Sequence, residues 1–217
     1  GNGIDDDGNG YVDDVYGVDF VDGDSDPMDE HGHGTHVAGI IAMTPGNGGG
    51  VGVAYGAKIM CVRAGQANGS FASSDIAKAI KYAADNGADV INMSFGGTGR
   101  SYLVESALQD AFPSCVLVAA AGNDGLPTND AKQAGYLFTE DIYPAGYKYV
   151  IGVMATDNNK SLAYFSNWDF KEGSGCEYEM AAPGVGIYST LPGNRYACWS
   201  GTSMATPNVA AAAAILR

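Results

Sequence analysis

The chain has 217 residues, of which 46% are hydrophobic and 17% are charged, a composition typical of one globular domain and not of a disordered segment. Eleven basic residues against 25 acidic ones give a formal net charge of −14, which argues against nucleic-acid binding because an acidic surface repels phosphate. No apolar run is long enough to span a bilayer.

Strand and helix patterns alternate along most of the chain. Residues 1–30 are loop-like and rich in Asp, Gly and Asn, and a helix is predicted next. Beyond it, short apolar runs bounded by Gly, Pro or Asn alternate with helical patterns. This alternation predicts an α/β domain of three layers, with a mainly parallel sheet flanked by helices. Strands are predicted at 58–62, 88–95, 115–121, 149–155, 179–182 and 187–190, and helices at 33–43, 74–85 (capped by Ser74), 102–112 and from 202 onward.

The chain begins in a loop and stops at Arg217 inside a helical pattern, so we expect both ends to be cut from a longer protein. Its four cysteines permit disulfides without requiring them. Cys61 and Cys115 lie in strand-like apolar runs, which is typical of small buried side chains. Cys176 and Cys198 lie in polar, turn-rich segments, and a bridge between these two is the favoured pairing.

A run from Gly201 to Pro207 contains a candidate nucleophile, Ser203. This serine lies where a Gly-containing loop enters a predicted helix. The first backbone N–H groups of a helix have no internal partner and can point at a developing oxyanion, aided by the helix dipole. A nucleophilic serine also needs an adjacent base.

His33 is the candidate base, since it opens the first predicted helix between Gly32 and Gly34. The backbone of a helix is a rigid support for a general base. A metal site is the alternative, because His33 and His36 share one helix face. Zinc would need a third ligand, and no Glu or His follows at the spacing of zinc proteases, which favours the base.

Asn123 follows an apolar predicted strand at its carboxyl end, where active sites form in open parallel sheets. An amide can donate a hydrogen bond to an oxyanion without titrating. The alternative is an ordinary turn asparagine after Gly122. The presence of Ser203 and His33 favours a functional role.

These motifs, together with residues 92–97 (NMSFGG) and 119–123 (AAAGN), resemble the signatures of the subtilase family of serine proteases, and the resemblance covers essentially the whole chain. It implies a subtilisin-like fold and a serine endopeptidase that hydrolyses peptide or protein substrates by acyl transfer. It implies Ser203 as nucleophile and His33 as general base. The oxyanion hole would combine the Asn123 amide with the backbone N–H of Ser203.

The same resemblance implies a substrate groove between two chain edges. Across it an extended peptide would add as a third strand. Small residues around the pocket for the side chain before the cleaved bond predict room for a sizeable apolar group. The expected groove residues are Ser94, Phe95 and Gly96 on one edge, Gly69, Ser70 and Phe71 on the other, and Gly96, Ala120 and Gly122 around the pocket.

The family's catalytic aspartate lies on a strand before the histidine, followed by Ser or Thr and then Gly. No such run precedes His33. We therefore expect residues 1–217 to be part of a subtilase catalytic domain, with the strand that carries the aspartate upstream of Gly1. The alternative is a non-catalytic, calcium-stabilised, peptide-binding relative that lacks the aspartate. Family members are usually exported and made with an inhibitory pro-region, which implies secretion and a possible pro-region partner.

The opening loop resembles the start of an EF-hand, with oxygen ligands at alternate positions. A structural Ca²⁺ ion would relieve the repulsion among its carboxylates, and subtilases often bind calcium. The twelfth position lacks the usual bidentate Glu, and the alternative is a solvated acidic loop without metal. The predicted ligands are Asp5, Asp7, Asn9, the Tyr11 carbonyl and Asp13.

Overall fold

The structure, a computed structural model, describes residues 1–170 and 177–217. Its strands form two parallel sheets and one antiparallel hairpin within those residues. The first sheet contains β1 (Gly17–Asp19) and β2 (Cys61–Arg63). The second has the order β3 (Val90–Met93), β4 (Val116–Ala120), β5 (Ile151–Thr156) and β6 (Met180–Pro183). The hairpin joins β7 (Ile187–Leu191) to β8 (Arg195–Trp199).

Helices cover both faces of the four-stranded sheet. Successive side chains of a strand point to opposite faces. In β4, Leu117 and Ala119 accordingly join one core and Val118 joins another. The first core includes α2 (Ser73–Asp85) and α3 (Tyr102–Ala111), and the second includes α4 (Thr202–Leu216) with support from α1 (His33–Ala42). The predicted three-layer, mainly parallel α/β fold is confirmed.

Four local features differ from the predictions. β1 lies inside the segment that was predicted to be loop. It was missed because a three-residue strand in Asp- and Gly-rich sequence shows no strand pattern. β8 was not predicted at all, and neither was the 3₁₀ helix at Asn129–Ala134. Helix α2 begins one residue early with Ala72 as its N-cap, and the Ser74 hydroxyl contacts Asp75 instead.

In the described part of the chain, β2 and β3 each have a strand partner on one side only. Both contact α2, so the two sheets lie beside each other under one helix without pairing. The edge position of β2 explains why Cys61 is exposed although its apolar neighbours predicted burial, whereas Cys115 is buried as predicted. Among the described residues, Cys61, Cys115 and Cys198 form no disulfide. Cys176, the predicted partner of Cys198, lies outside those residues, so the bridge between these two stays a prediction.

Over residues 1–170 and 177–217, the helices are too short or too polar for any of them to cross a membrane.

Candidate active site

Three predicted catalytic side chains, those of His33, Asn123 and Ser203, line one cleft of about 440 Å³. His33 is the first residue of α1, Ser203 is the second of α4, and Asn123 follows the end of β4. Helix starts and a strand's carboxyl end meet at one edge of the sheet, which is where parallel α/β domains form their sites. The other residues that line the cleft are Cys198, Trp199, Ser200, Gly201 and Met204.

Ser203 is held by a reciprocal pair of hydrogen bonds with Ser94. The Ser203 hydroxyl donates to the Ser94 carbonyl at 3.0 Å, and the Ser94 hydroxyl donates to the Ser203 carbonyl at 2.9 Å. Pro207, four residues on, has no N–H and cannot satisfy that carbonyl in the usual helical way. The Ser94 hydroxyl takes over this role and ties the start of α4 to the end of β3.

Ser94 was predicted to line the substrate groove. Its side chain is 6% exposed and faces α4. The sequence carries one signal for this contact. Pro207 lies in the first turns of the helix, so the Ser203 carbonyl needs a donor other than a backbone N–H.

The amide of Asn123 is oriented by Thr202. Its Oδ1 accepts hydrogen bonds from the Thr202 backbone N–H at 2.8 Å and from the Thr202 hydroxyl at 3.0 Å. A Cβ atom built on Gly201 would lie 3.7 Å from Ser203 N and 3.8 Å from Asn123 Nδ2. Both predicted oxyanion donors therefore border the same small volume, which glycine at 201 leaves open.

Asp29 fixes the start of α1, and the sequence analysis did not single it out for this role. Its Oδ1 accepts from the backbone N–H groups of His31 and Gly32 at 2.9 and 2.7 Å. Its Oδ2 accepts from the backbone N–H and the hydroxyl of Thr35 at 2.7 and 2.6 Å. A carboxylate just before a helix satisfies its free N–H groups and complements its dipole. Burial raises the pKa of Asp29, but the hydrogen bonds from Thr35, Gly32 and His31 outweigh this and hold it below its ordinary value.

Burial is the main cause that lowers the pKa of His33 below its ordinary value. The charge of His31 and, more weakly, that of His36 also lower this pKa, whereas the charge of Asp29 raises it. A lowered pKa favours the neutral imidazole. The neutral form is the one that accepts a proton from a nucleophile.

His36 does not join His33 in a metal site. It is fully buried, stacks on Trp199 with ring centroids 4.6 Å apart, and contacts the Ala197 carbonyl through Nε2 at 3.1 Å. Among the described residues, no three His, Cys, Asp or Glu side chains are grouped so that they could hold a metal ion. His36 instead ties α1 to β8, the strand that leads into the loop before Ser203.

The two predicted groove edges touch through aromatic side chains, since Phe71 stacks on Phe95 with ring centroids 4.5 Å apart. Phe71 forms an isolated antiparallel bridge with Gly65. Gly69 and Ser70 lie in the exposed turn between these two residues, where the Gly69 N–H donates to the Gln66 carbonyl at 2.9 Å. The edge predicted at 69–71 is therefore a turn with one paired residue.

Ile142 lies against two of the three residues that were predicted to line the pocket, Gly96 and Gly122. A Cβ atom built on Gly96 would lie 2.5 Å from Cγ2 of Ile142, and one built on Gly122 would lie 2.8 Å from its Cγ1. Ile142 is 4% exposed. Small residues at these positions thus do not by themselves leave open space, and the size of the side chain that this pocket admits stays a prediction.

The predicted calcium ligands are only partly grouped. Asp5 and Asp7 both accept from the backbone N–H of Asn9, at 3.2 and 3.1 Å. Asp13 instead accepts from the N–H groups of Asn2 and Gly3, at the start of the chain. The Asn9 amide donates through Nδ2 to Asp7 at 3.2 Å, while its Oδ1 accepts from the Tyr11 N–H at 2.8 Å. The full set of five predicted ligands is therefore not gathered around one point.

Comparison with known proteins decides the family. The profile of the subtilase family, Peptidase S8, matches residues 1–217. The chain belongs to the subtilase family. The thermophilic serine proteinase of Bacillus sp. (strain AK1) is 48% identical to it over 204 residues, which is 93% of this chain and 46% of that protein. Subtilisin DY of Bacillus licheniformis is 43% identical over 203 residues, covering 93% and 69% respectively.

A solved structure is also similar to this subtilase chain. The crystal structure of a cold adapted subtilisin-like serine proteinase matches with a TM-score of 0.76 and 37% identity, over 92% of this chain and 66% of that one. The subtilisin-like fold is thereby confirmed. The chain spans about half the length of the first relative and about two thirds of the second relative and of the solved structure.

Proposed function

We propose that this subtilase chain belongs to a serine endopeptidase that cleaves peptide bonds through an acyl-enzyme on Ser203. The observation that carries the proposal is the single cleft lined by His33, Asn123 and Ser203. His33 accepts the hydroxyl proton as Ser203 attacks the carbonyl carbon, and later gives it to the leaving amine. The Asn123 amide and the Ser203 N–H donate to the oxyanion.

The proposal also includes an aspartate that orients the His33 ring and lies on a strand upstream of Gly1. The one-sided pairing of β2 and β3 supports it, because a parallel strand inserted between them would end at the same sheet edge as β4. Asp29 is engaged by backbone donors at the start of α1. Loss of the orienting aspartate costs about 10⁴-fold in turnover, so residues 1–217 alone are expected to be nearly inactive.

A non-catalytic peptide-binding relative is the second candidate, favoured by the Ser203 hydroxyl donating to the Ser94 carbonyl in this structure. Fluorophosphonate labelling of the full-length protein, followed by peptide mapping, separates the two. The enzyme carries an adduct on Ser203 that Ser203→Ala abolishes and His33→Ala strongly weakens. Ser106→Ala, an exposed serine of α3, serves as the control and labels normally. An unlabelled wild type would support the binding protein.

The family resemblance further supports an exported protease that is made with an inhibitory pro-region and stabilised by calcium on the first loop. The shared Asn9 N–H keeps the carboxylates of Asp5 and Asp7 close together, and like charges so placed repel unless a cation neutralises them.

A further inference from the structure

The Ile142 side chain packs between two backbone segments, and the space between these segments is called the slot. One wall of the slot contains Gly96, two residues beyond Ser94, and the other contains Gly122, which directly precedes Asn123. A Cβ atom built on Gly96 would lie 2.5 Å from the Ile142 Cγ2 methyl group. One built on Gly122 would lie 2.8 Å from the Ile142 Cγ1 methylene group and 2.5 Å from Asn167 Nδ2. Gly96 therefore leaves room for Ile142, and Gly122 leaves room for Ile142 and Asn167.

The backbone around Ile142 is fixed. Its N–H donates to the hydroxyl of Tyr178 at 3.0 Å, and its carbonyl accepts from the Gly146 N–H at 2.8 Å. The next residue, Tyr143, exchanges two backbone hydrogen bonds with Gly97 at 2.8 and 3.0 Å. Tyr178 is itself buried in the core. A substrate side chain cannot easily displace a residue that is held on both sides.

The slot walls lead to the reacting groups. The Gly96 wall begins at Ser94, whose carbonyl contacts the Ser203 hydroxyl, and the Gly122 wall ends at the Asn123 amide. In the proposed reaction the scissile carbonyl oxygen points to Asn123, so the side chain of the same residue would lie next to these walls. Ile142, packed against both of them, would then limit the size of that side chain.

We propose that Ile142 makes the enzyme selective for a small residue, Ala, Ser or Gly, immediately before the cleaved bond. The inference rests on the proposed function and names the substrate class of the same site. A hydrophobic pocket discriminates by roughly tenfold to 200-fold for one methylene group. An aromatic side chain exceeds alanine by far more than that, so at least about a tenfold preference is expected.

The test uses the full-length protein and peptides that differ only in the residue before the cleaved bond: Ala, Leu or Phe. Active-site concentration comes from fluorophosphonate titration, so that kcat/KM refers to competent enzyme only. The wild type is expected to favour Ala over Phe by at least about tenfold. Ile142→Gly should reverse the preference, and Ile142→Val, which removes only one methylene, should give an intermediate ratio.

Ile80→Val is the matched control, because Ile80 is equally buried but lies in α2, in the core on the other side of the sheet from α4. It should lower stability slightly and leave the Ala-to-Phe ratio unchanged. A labelled wild type that prefers Phe, or an Ile142→Val ratio equal to that of the wild type, overturns the inference and leaves the protease proposal intact. Absence of labelling on Ser203 overturns both.

Discussion

Two regions of this molecule carry sequence motifs that predict a site, but the fold gathers the predicted side chains in only one of them. The catalytic motifs lie at the starts of α1 and α4 and at the end of β4, and their side chains line one cleft. The acidic motif lies in a loop with no strand or helix before β1, and its predicted ligands are split between Asn9 and the start of the chain. Residues at the ends of packed elements are positioned by the whole core, whereas loop residues are positioned mainly by their neighbours.

After the proposed nucleophile and base, Asn123 is the cleft residue whose substitution by Ala should have the largest effect. In the proposed mechanism its amide donates chiefly to the charge that develops in the transition state, so kcat should fall by about 10²–10³-fold. KM should change little, since the ground-state carbonyl gains less from this donor. Steady-state kinetics of the full-length protein check this, and a loss confined to KM would contradict the oxyanion role.

Ser94→Ala removes the donor that satisfies the Ser203 carbonyl. We expect kcat to fall by about tenfold, which corresponds to one lost buried hydrogen bond of about 1.4 kcal/mol. Pro207→Ala restores a helical N–H to that carbonyl and should recover most of the loss in the double variant. Kinetics of both single variants and the double variant measure the coupling.

If the double variant is as slow as Ser94→Ala alone, then Ser94 acts in another way than by supplying this donor.

Asp29→Ala should destabilise the start of α1 by about 1 kcal/mol, the usual effect of losing a capping carboxylate. The pKa of Asp29 is lowered in the folded state, so its contribution is present above the unfolded pKa of about 3.9. That contribution is lost as the pH falls through the folded pKa, below about pH 4.

Urea unfolding of the wild type and the variant at pH 7 and pH 3 measures this difference, which should shrink at pH 3. Asp26→Ala is the control, since it removes the same charge from an exposed position on the same loop. An Asp29→Ala deficit that stays constant with pH would show that the carboxylate charge contributes nothing.

The smallest expected effect is that of calcium on the acidic loop. A cation bound to Asp5, Asp7 and Asn9 should raise Tm by a few degrees, about 2–4 °C for each kcal/mol gained in a domain of this size. Thermal melting with and without calcium measures it, with Asp7→Ala as the variant that abolishes the shift. An equal Tm in both conditions would leave the loop as a solvated acidic segment.

The sequence predicted the elements that local patterns determine. The starts of α1 and α4 were predicted correctly because glycine precedes each of them and apolar spacing follows. β1 was missed since a three-residue strand is too short to show periodicity. Ile142 could not have been predicted from its neighbours, because its contacts with Gly96 and Gly122 join residues that are distant in sequence. Asp29 did carry a local signal, since it is an acidic residue just before a predicted helix.

The central claim is that His33, Asn123 and Ser203 act on one reacting carbonyl, and a crystal structure of the full-length protein with a phosphonate on Ser203 tests it most directly. The account predicts that the phosphonyl oxygen lies within hydrogen-bonding distance of both Asn123 Nδ2 and Ser203 N, with the His33 ring beside the Ser203 Oγ. An adduct whose oxygen points away from Asn123, or a label found on another residue, would contradict it.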